Sequence, residues 1–137
     1  FIPWSAARIA GVNVDDYAEM SASFGKEFEE LDKEAMLTYV QKSGGQIIAN
    51  KGATFYAVSR GVCKLCGLLL SATESVTTVS SMMHGEYGVE DVCLSTLTLV
   101  GPNGVKGKVP MKLTEEEIAL LHKSANALKD VIAQIEL

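Results

Sequence analysis

The spacing of apolar side chains predicts a long helix in the first half of the chain. Between about Glu27 and Lys51 an apolar residue returns every three or four positions, which places these side chains on one helical face. This face consists of Phe28, Leu31, Ala35, Met36, Tyr39, Val40, Ile47 and Ile48. Gly44 and Gly45 each weaken a helix by roughly 1 kcal/mol relative to alanine, so we expect a kink or close packing there.

A second helix is predicted between residues 53 and 72. Alanine, valine, leucine and cysteine occupy almost every side of this segment. A helix that is apolar all round is typically buried, so Arg60 and Lys64 would have to point outward or pair.

Other segments favour β structure. Residues 1–10 are consistent with a strand that closes at Gly11, and residues 12–26 are expected to be irregular. Residues 75–88 and 90–101 are β-branched and alternating, which predicts two strands. The second strand would carry Val92, Leu94, Thr96 and Thr98 on one face and Cys93, Ser95, Leu97 and Leu99 on the other. The turn residues Pro102, Asn103 and Gly104 precede a short third strand, so an antiparallel sheet is expected.

The last helix has a clear start signal. Thr114 and Glu117 are spaced as a capping box, and an apolar stripe then continues to Ile135. We expect this helix to lie on the sheet with His122 facing water. Together these elements predict an α+β fold, an antiparallel sheet packed with long helices and a C-terminal helix.

Composition is that of one globular domain spanning residues 1–137. The chain has 137 residues, of which 47% are hydrophobic and 21% charged, and its net charge of −5 includes no basic run. This charge pattern excludes a positively charged surface for binding nucleic acid or an anionic membrane. The apolar run Gly67 to Leu70 is far below the ~20 residues of a membrane span, so a soluble protein is expected.

Three cysteines, Cys63, Cys66 and Cys93, are an odd number, which favours a reducing compartment, the cytoplasm. Cys63 and Cys66 have C-x-x-C spacing, which could serve a redox pair or half a zinc site, but no second pair completes a metal site. The alternative is two small apolar residues on one helical face. If they are core residues, their thiols should react slowly in the native state.

Catalytic motifs are missing from the sequence. It contains no G-x-G-x-x-G, phosphate loop, G-x-S-x-G or H-E-x-x-H pattern. The histidines His84 and His122 are far apart and have no carboxylate at a fixed spacing. No catalytic residue is therefore assigned from the residues alone.

The order of motifs, however, resembles a specific family. The stretches "WSAARIAG", "IIANKGATFYAVS", "HGEYGVEDVCLSTLTLVGPNGV" and "LTEEEIALLHKSANALKDVI" are similar to the C-terminal half of the L-lactate dehydrogenases, within the NAD-dependent lactate and malate dehydrogenase family. The resemblance covers nearly the whole chain. It implies that the N-terminal Rossmann domain is absent from this chain and that the catalytic histidine stretch sits just before Phe1.

The same resemblance implies what the chain contributes. The family reduces pyruvate to lactate with NADH, an imidazolium supplying the proton while arginines hold the carboxylate. Those groups lie upstream in the family, so a start at Phe1 without methionine is expected for a chain that supplies pocket walls only. The chain alone should then be inactive.

Two wall residues carry over from the family. Thr54 matches the threonine that borders the carboxylate and small side chain of the substrate, and Val58 matches the aliphatic residue that packs on the nicotinamide ring. Their i, i+4 spacing would put both on one helical face. Val58 could instead be core packing, and Thr54 could be a helix cap.

The choice of substrate rests on small differences from the family. Ser43, Gly44 and Gly45 stand where lactate dehydrogenases usually carry small residues followed by a larger one, which leaves pocket volume open. Malate-specific relatives tend to have Gly-Ser-Ala where this chain has Gly52, Ala53 and Thr54, and this favours lactate.

Three hypotheses therefore stand. The chain is the C-terminal half of an L-lactate dehydrogenase of glycolysis and fermentation, of a malate or branched 2-hydroxyacid dehydrogenase, or a non-catalytic oligomerisation module. Family members are usually homotetramers, and the helix from Glu27 to Lys51 belongs to their subunit contacts, so a homo-oligomer is expected.

Overall fold

The computed structural model describes residues 1–28 and 30–135, which form two compact units. The first unit runs from Phe1 to Tyr56 and the second begins at Ala57. The α+β fold class and the antiparallel sheet predicted from the sequence are confirmed.

The first unit opens with a short hairpin, so the single strand predicted for residues 1–10 is wrong. A 3-10 turn at Trp4–Ala6 follows Pro3, and strands β1 (Arg8–Ile9) and β2 (Val12–Asn13) pair antiparallel. The chain reverses at Ala10 and Gly11, which both have positive φ (50° and 86°). Positive φ at both turn residues is the geometry of a tight hairpin, and it ends β1 after two residues.

Two helices complete this unit. Helix α1 spans Tyr17–Ser23, where an irregular segment was predicted, and helix α2 spans Lys33–Lys51. Helix α2 begins six residues later than predicted because the Asp32 carboxylate accepts a hydrogen bond from the Ala35 N–H at 2.8 Å and caps the helix there. It continues without interruption through Gly44 and Gly45, and a Cβ atom at either glycine would meet no atom within 4 Å, so the predicted kink or close packing is wrong.

Helix α3 (Tyr56–Leu70) starts at the last residue of the first unit and otherwise belongs to the second, which also contains three strands and helix α4 (Glu115–Ile132). Strands β3 (Ser75–His84), β4 (Glu90–Gly101) and β5 (Gly104–Lys108) form an antiparallel sheet in the order β3-β4-β5. A 3-10 turn at Glu86–Gly88 joins the first two strands.

The core of the second unit lies between β4 and α4. Val92, Leu94, Thr96 and Thr98 are all buried, while Cys93 and Ser95 are exposed, which confirms the predicted alternation. The core cluster consists of Met83, Val89, Val92, Leu94, Leu121 and Ala125, with Tyr87 and Leu113 packed against it. The predicted packing of α4 on the sheet is therefore confirmed.

Helix α4 begins at the predicted capping box. The Thr114 hydroxyl accepts a hydrogen bond from the Glu117 N–H at 3.2 Å, and the Glu117 carboxylate accepts one from the Thr114 N–H at 3.0 Å. These bonds satisfy donors that the first turn of a helix leaves unpaired.

Helix α3 differs most from its prediction. No residue of Tyr56–Leu70 is buried, whereas an apolar helix was expected to be buried.

Among the residues described, no single helix is both long and apolar enough to cross a membrane. Helices α2 and α3 meet the criteria of length and composition only when the two are counted together as one bent pair.

Candidate functional site

The residue predicted to contact substrate lies in the short connection after α2. Helix α2 ends at Gly52, whose positive φ of 79° is a left-handed cap, and the Gly52 N–H donates to the Ile48 carbonyl at 2.7 Å. Residues 53–55 then leave the helix before α3 begins at Tyr56. Glycine suits this position because a side chain at such a φ would be strained.

Thr54 is exposed in this connection. It stands two residues before α3, so the prediction that Thr54 and Val58 share one helical face is wrong, because the helix begins too late to include Thr54. Within residues 1–28 and 30–135 the Thr54 hydroxyl has no hydrogen-bond partner, so it does not cap α3. The hydroxyl is thus available both to donate to and to accept from a ligand.

Aromatic and cationic side chains flank Thr54, a feature that the sequence reasoning missed. The rings of Phe55 and Tyr56 lie with centroids 4.6 Å apart at 53°, and the Lys51 ammonium lies 5.4 Å from the centroid of the Tyr56 ring. The distance from Lys51 is that of a cation–π contact. Both contacts lie within the first unit, and Lys51 and Tyr56 stand on either side of Thr54 along the chain. The pattern Lys-x₄-Tyr in "KGATFY" could have suggested them.

Val58 lies in the first turn of α3 and is 62% exposed, so it is not core packing within this chain. It borders a groove of about 700 Å³ between α3 and one face of the sheet. The groove is lined by Val58, Gly61, Val62, Lys64, Leu65, Thr77, Thr78, Val79, Ser80 and Ser95. An exposed aliphatic side chain beside a groove can pack on the flat face of a ring.

A polar cluster joins side chains of β3 and β5 across the intervening strand β4. The Lys108 ammonium donates to the Ser81 carbonyl at 3.3 Å and to the Ser81 hydroxyl. The Glu86 carboxylate accepts from the His84 N–H at 2.7 Å. This hydrogen bond, and then that of the backbone N–H of Glu86 itself, lowers the pKa of Glu86 below its ordinary value of 4.5.

The second histidine has a structural partner. A ring nitrogen of His122, Nε2, lies 2.7 Å from the Tyr87 carbonyl oxygen, so the prediction that His122 faces water is wrong. The Tyr87 hydroxyl in turn accepts from the Met111 N–H at 2.7 Å. Tyr87 has a positive φ of 56°, and these two bonds hold that unusual backbone. Because the contacts span 24 and 35 positions of sequence, no local pattern could predict them.

The three cysteines are all accessible on the surface of the chain. Cys63 and Cys66 are free and exposed on α3, so the prediction that they are core residues is wrong. Cys93 is exposed as well. No group of three or more His, Cys, Asp or Glu side chains that could hold a metal ion occurs in the part of the chain that the structure describes.

Comparison with known proteins gives a consistent result along the whole chain. The family model described as lactate/malate dehydrogenase, alpha/beta C-terminal domain, matches residues 1–137. The chain is 37% identical over 134 residues to an L-lactate dehydrogenase of Acetivibrio thermocellus, covering 98% of the chain and 41% of that protein. It is 36% identical to an L-lactate dehydrogenase of a Thermoanaerobacter species over 98% of the chain and 42% of that protein.

Solved structures agree in fold. The minor L-lactate dehydrogenase of Enterococcus mundtii, in its ligands-bound form, superimposes with a TM-score of 0.84 at 26% identity over 98% of this chain and 42% of that one. A malate dehydrogenase of Archaeoglobus fulgidus in complex with NADH gives 0.70 at 28% identity over 77% of this chain and 35% of that one. The chain therefore spans about two-fifths of the length of the curated relatives it matches.

Proposed function

The chain belongs to the lactate/malate dehydrogenase family, as its alpha/beta C-terminal domain, and we propose that it forms the substrate half of an L-lactate dehydrogenase. The full-length enzyme would interconvert pyruvate and L-lactate with NADH and NAD. The observation that carries this proposal is the similarity to proteins named L-lactate dehydrogenase over 98% of the chain.

In this proposal the chain supplies walls of the pocket. The exposed hydroxyl and methyl of Thr54 border the carboxylate and the methyl group of pyruvate, while the exposed side chain of Val58 packs on the nicotinamide ring. An aliphatic side chain at the edge of a groove fits such a planar ring. When bound, NADH supplies the hydride. In this proposal the imidazolium that supplies the proton, the arginines that hold the carboxylate and the dinucleotide-binding Rossmann domain lie upstream of this chain in the full-length enzyme.

The malate or branched 2-hydroxyacid alternative has one observation in its favour, the likeness to the malate dehydrogenase of Archaeoglobus fulgidus. Thr54 favours lactate. Its side chain is larger than the alanine found here in malate-specific relatives, so it fills more space beside a small substrate. A non-catalytic oligomerisation module is the weakest alternative, because the curated relatives cited above are named as enzymes.

We further propose that the full-length enzyme is a cytoplasmic homotetramer of glycolysis and fermentation, with α2 at a subunit contact. Three free cysteines support a reducing compartment. The exposed apolar side chains of α2, including Tyr39 and Val40, support a contact with another copy.

The substitution Thr54→Gly in the full-length enzyme tests this site. It removes both the hydroxyl and the methyl group, so we expect kcat/KM for pyruvate to fall roughly 10- to 200-fold, the effect of losing ~1–3 kcal/mol of pocket contact. For a branched keto acid kcat/KM should fall less or even rise, because the vacated space admits the larger side chain. NADH affinity should barely change.

The matched control is Ala53→Gly, which adds backbone freedom at the neighbouring position without removing a polar group. It should leave the ratio of kcat/KM for pyruvate to kcat/KM for the branched keto acid unchanged. Equal losses on pyruvate and the branched keto acid in Thr54→Gly would mean that Thr54 maintains the connection between helices and does not select the substrate.

A further inference from the structure

The paired cysteines of α3 are a motif that the proposed dehydrogenase function does not use. Cys63 and Cys66 lie three positions apart within Tyr56–Leu70, and both are free and exposed. Side chains three positions apart on a helix are neighbours on its surface. Two accessible thiols on one helix can both form a bond to the same atom, whereas a lone thiol forms only one such bond.

The pair lies apart from the groove that Val58 borders. Helix α3 contributes Val58, Val62 and Leu65 to that groove, together with Gly61 and Lys64, and neither cysteine lines it. The thiols therefore open to solvent outside the groove. A ligand on them would not need to displace the residues that line it.

Helical geometry favours a bridging atom over a disulfide. Cβ atoms at i and i+3 of a helix are about 5–6 Å apart, whereas a disulfide requires about 3.5–4.5 Å. A single atom that bonds both sulfurs replaces the one S–S bond with two bonds, each about 2.3 Å long where the atom is zinc. Such a bridge spans the wider gap without unwinding α3.

The number of ligands decides which atom fits. Structural zinc sites take four protein ligands, and the residues that the structure describes hold no cluster of three or more potential ligands. A trivalent arsenic atom that already carries one carbon substituent needs only two sulfurs to complete its three bonds. We propose that Cys63 and Cys66 form a chelating dithiol site for monosubstituted trivalent arsenicals.

The binding step is balanced without a redox partner. An arsenical R–As=O reacts with both thiols, so that two As–S bonds form while two S–H bonds and the As–O double bond break. The two protons and the oxygen leave as one water molecule. Arsenic remains trivalent and the sulfurs are not oxidised.

Phenylarsine oxide and intact-protein mass spectrometry of the reduced chain test the proposal. We expect the chain to gain one phenylarsenic group. Cys63→Ser or Cys66→Ser should weaken binding roughly a hundredfold, since the second bond gains from a high effective concentration. Cys93→Ser, which removes an exposed thiol from β4, is the matched control and should bind as the wild type does. No uptake by the wild type, unchanged binding in the Cys63 or Cys66 variant, or an equal loss in Cys93→Ser would overturn the site.

Release from the wild-type adduct gives a second readout that needs no variant. A small dithiol should strip the arsenical readily, and a monothiol at the same total thiol concentration should not, because it cannot replace two bonds at once. Equal release by both reagents would mean attachment through one sulfur and would contradict the chelate.

Discussion

At the residue scale, side chains whose contacts are local could be predicted, and those with distant partners could not. The alternation of β4 gave its buried face correctly, because neighbours along a strand point to opposite sides. His122 was expected in water, yet its partner is the carbonyl of Tyr87, 35 positions away. Thr54 was placed on a helix that begins only at Tyr56. The roles proposed for Thr54 and Val58 therefore depend on family resemblance and not on a pattern in the residues.

Glu86 should make stability depend on pH in the acid range. Hydrogen bonds to its carboxylate, first from the His84 N–H, lower its pKa in the folded chain below 4.5. A carboxylate with a lowered pKa stabilises the fold fully above its unfolded pKa, and this contribution is lost as pH falls through the folded value. We expect Glu86→Gln to be less stable than the wild type at about pH 6, and the difference to shrink as pH falls towards about 3.

Urea unfolding at a series of pH values measures this difference. Glu27→Gln is the control, because Glu27 is exposed and makes no side-chain hydrogen bond or ion pair with any residue that the structure describes. A gap between Glu86→Gln and the wild type that stays constant with pH would contradict the assignment.

At the scale of elements, regular structure could be predicted where the apolar spacing repeats over many residues. It was missed where the element is short. The capping box fixed the start of α4, whereas α1, only seven residues long, is too short for its apolar spacing to repeat. The predicted start of α2 is too early because the apolar spacing already begins before the residue that caps the helix, Asp32. Helix α3 was expected to be buried because composition alone does not say what a helix packs against.

The cap of α4 makes a quantitative prediction. Thr114→Ala removes the hydroxyl that accepts from the Glu117 N–H, so the free energy of unfolding should fall by about 1 kcal/mol. Chemical denaturation measures the loss. Ser124→Ala, at an exposed position within α4, should leave stability unchanged or slightly higher because alanine favours helix. Equal effects of the two substitutions would show that the cap is not what stabilises this end.

At the scale of the whole molecule, α2 presents apolar side chains that its own unit leaves exposed. Met36, Tyr39, Val40, Ile47 and Ile48 are all between 37% and 65% exposed. A face of this kind is typical of an interface, so we expect the chain to self-associate. Sedimentation velocity over a range of concentrations should show species larger than a monomer.

Paired substitutions on α2 locate that association. Val40→Lys places a charge on the apolar face and should shift the chain towards monomer, while Gln41→Lys, at an exposed polar position next to it, should not. A strictly monomeric wild type at all concentrations, or equal effects of both substitutions, would contradict an interface on α2.

The central claim is that this chain is the substrate half of an L-lactate dehydrogenase. It is tested most directly by the initial rate of NADH oxidation with pyruvate and with oxaloacetate, measured for the full-length protein and for this chain alone. We predict a higher kcat/KM for pyruvate than for oxaloacetate in the full-length protein, and no turnover above background by the chain alone. A preference for oxaloacetate, or saturable turnover by the chain alone, would contradict the claim.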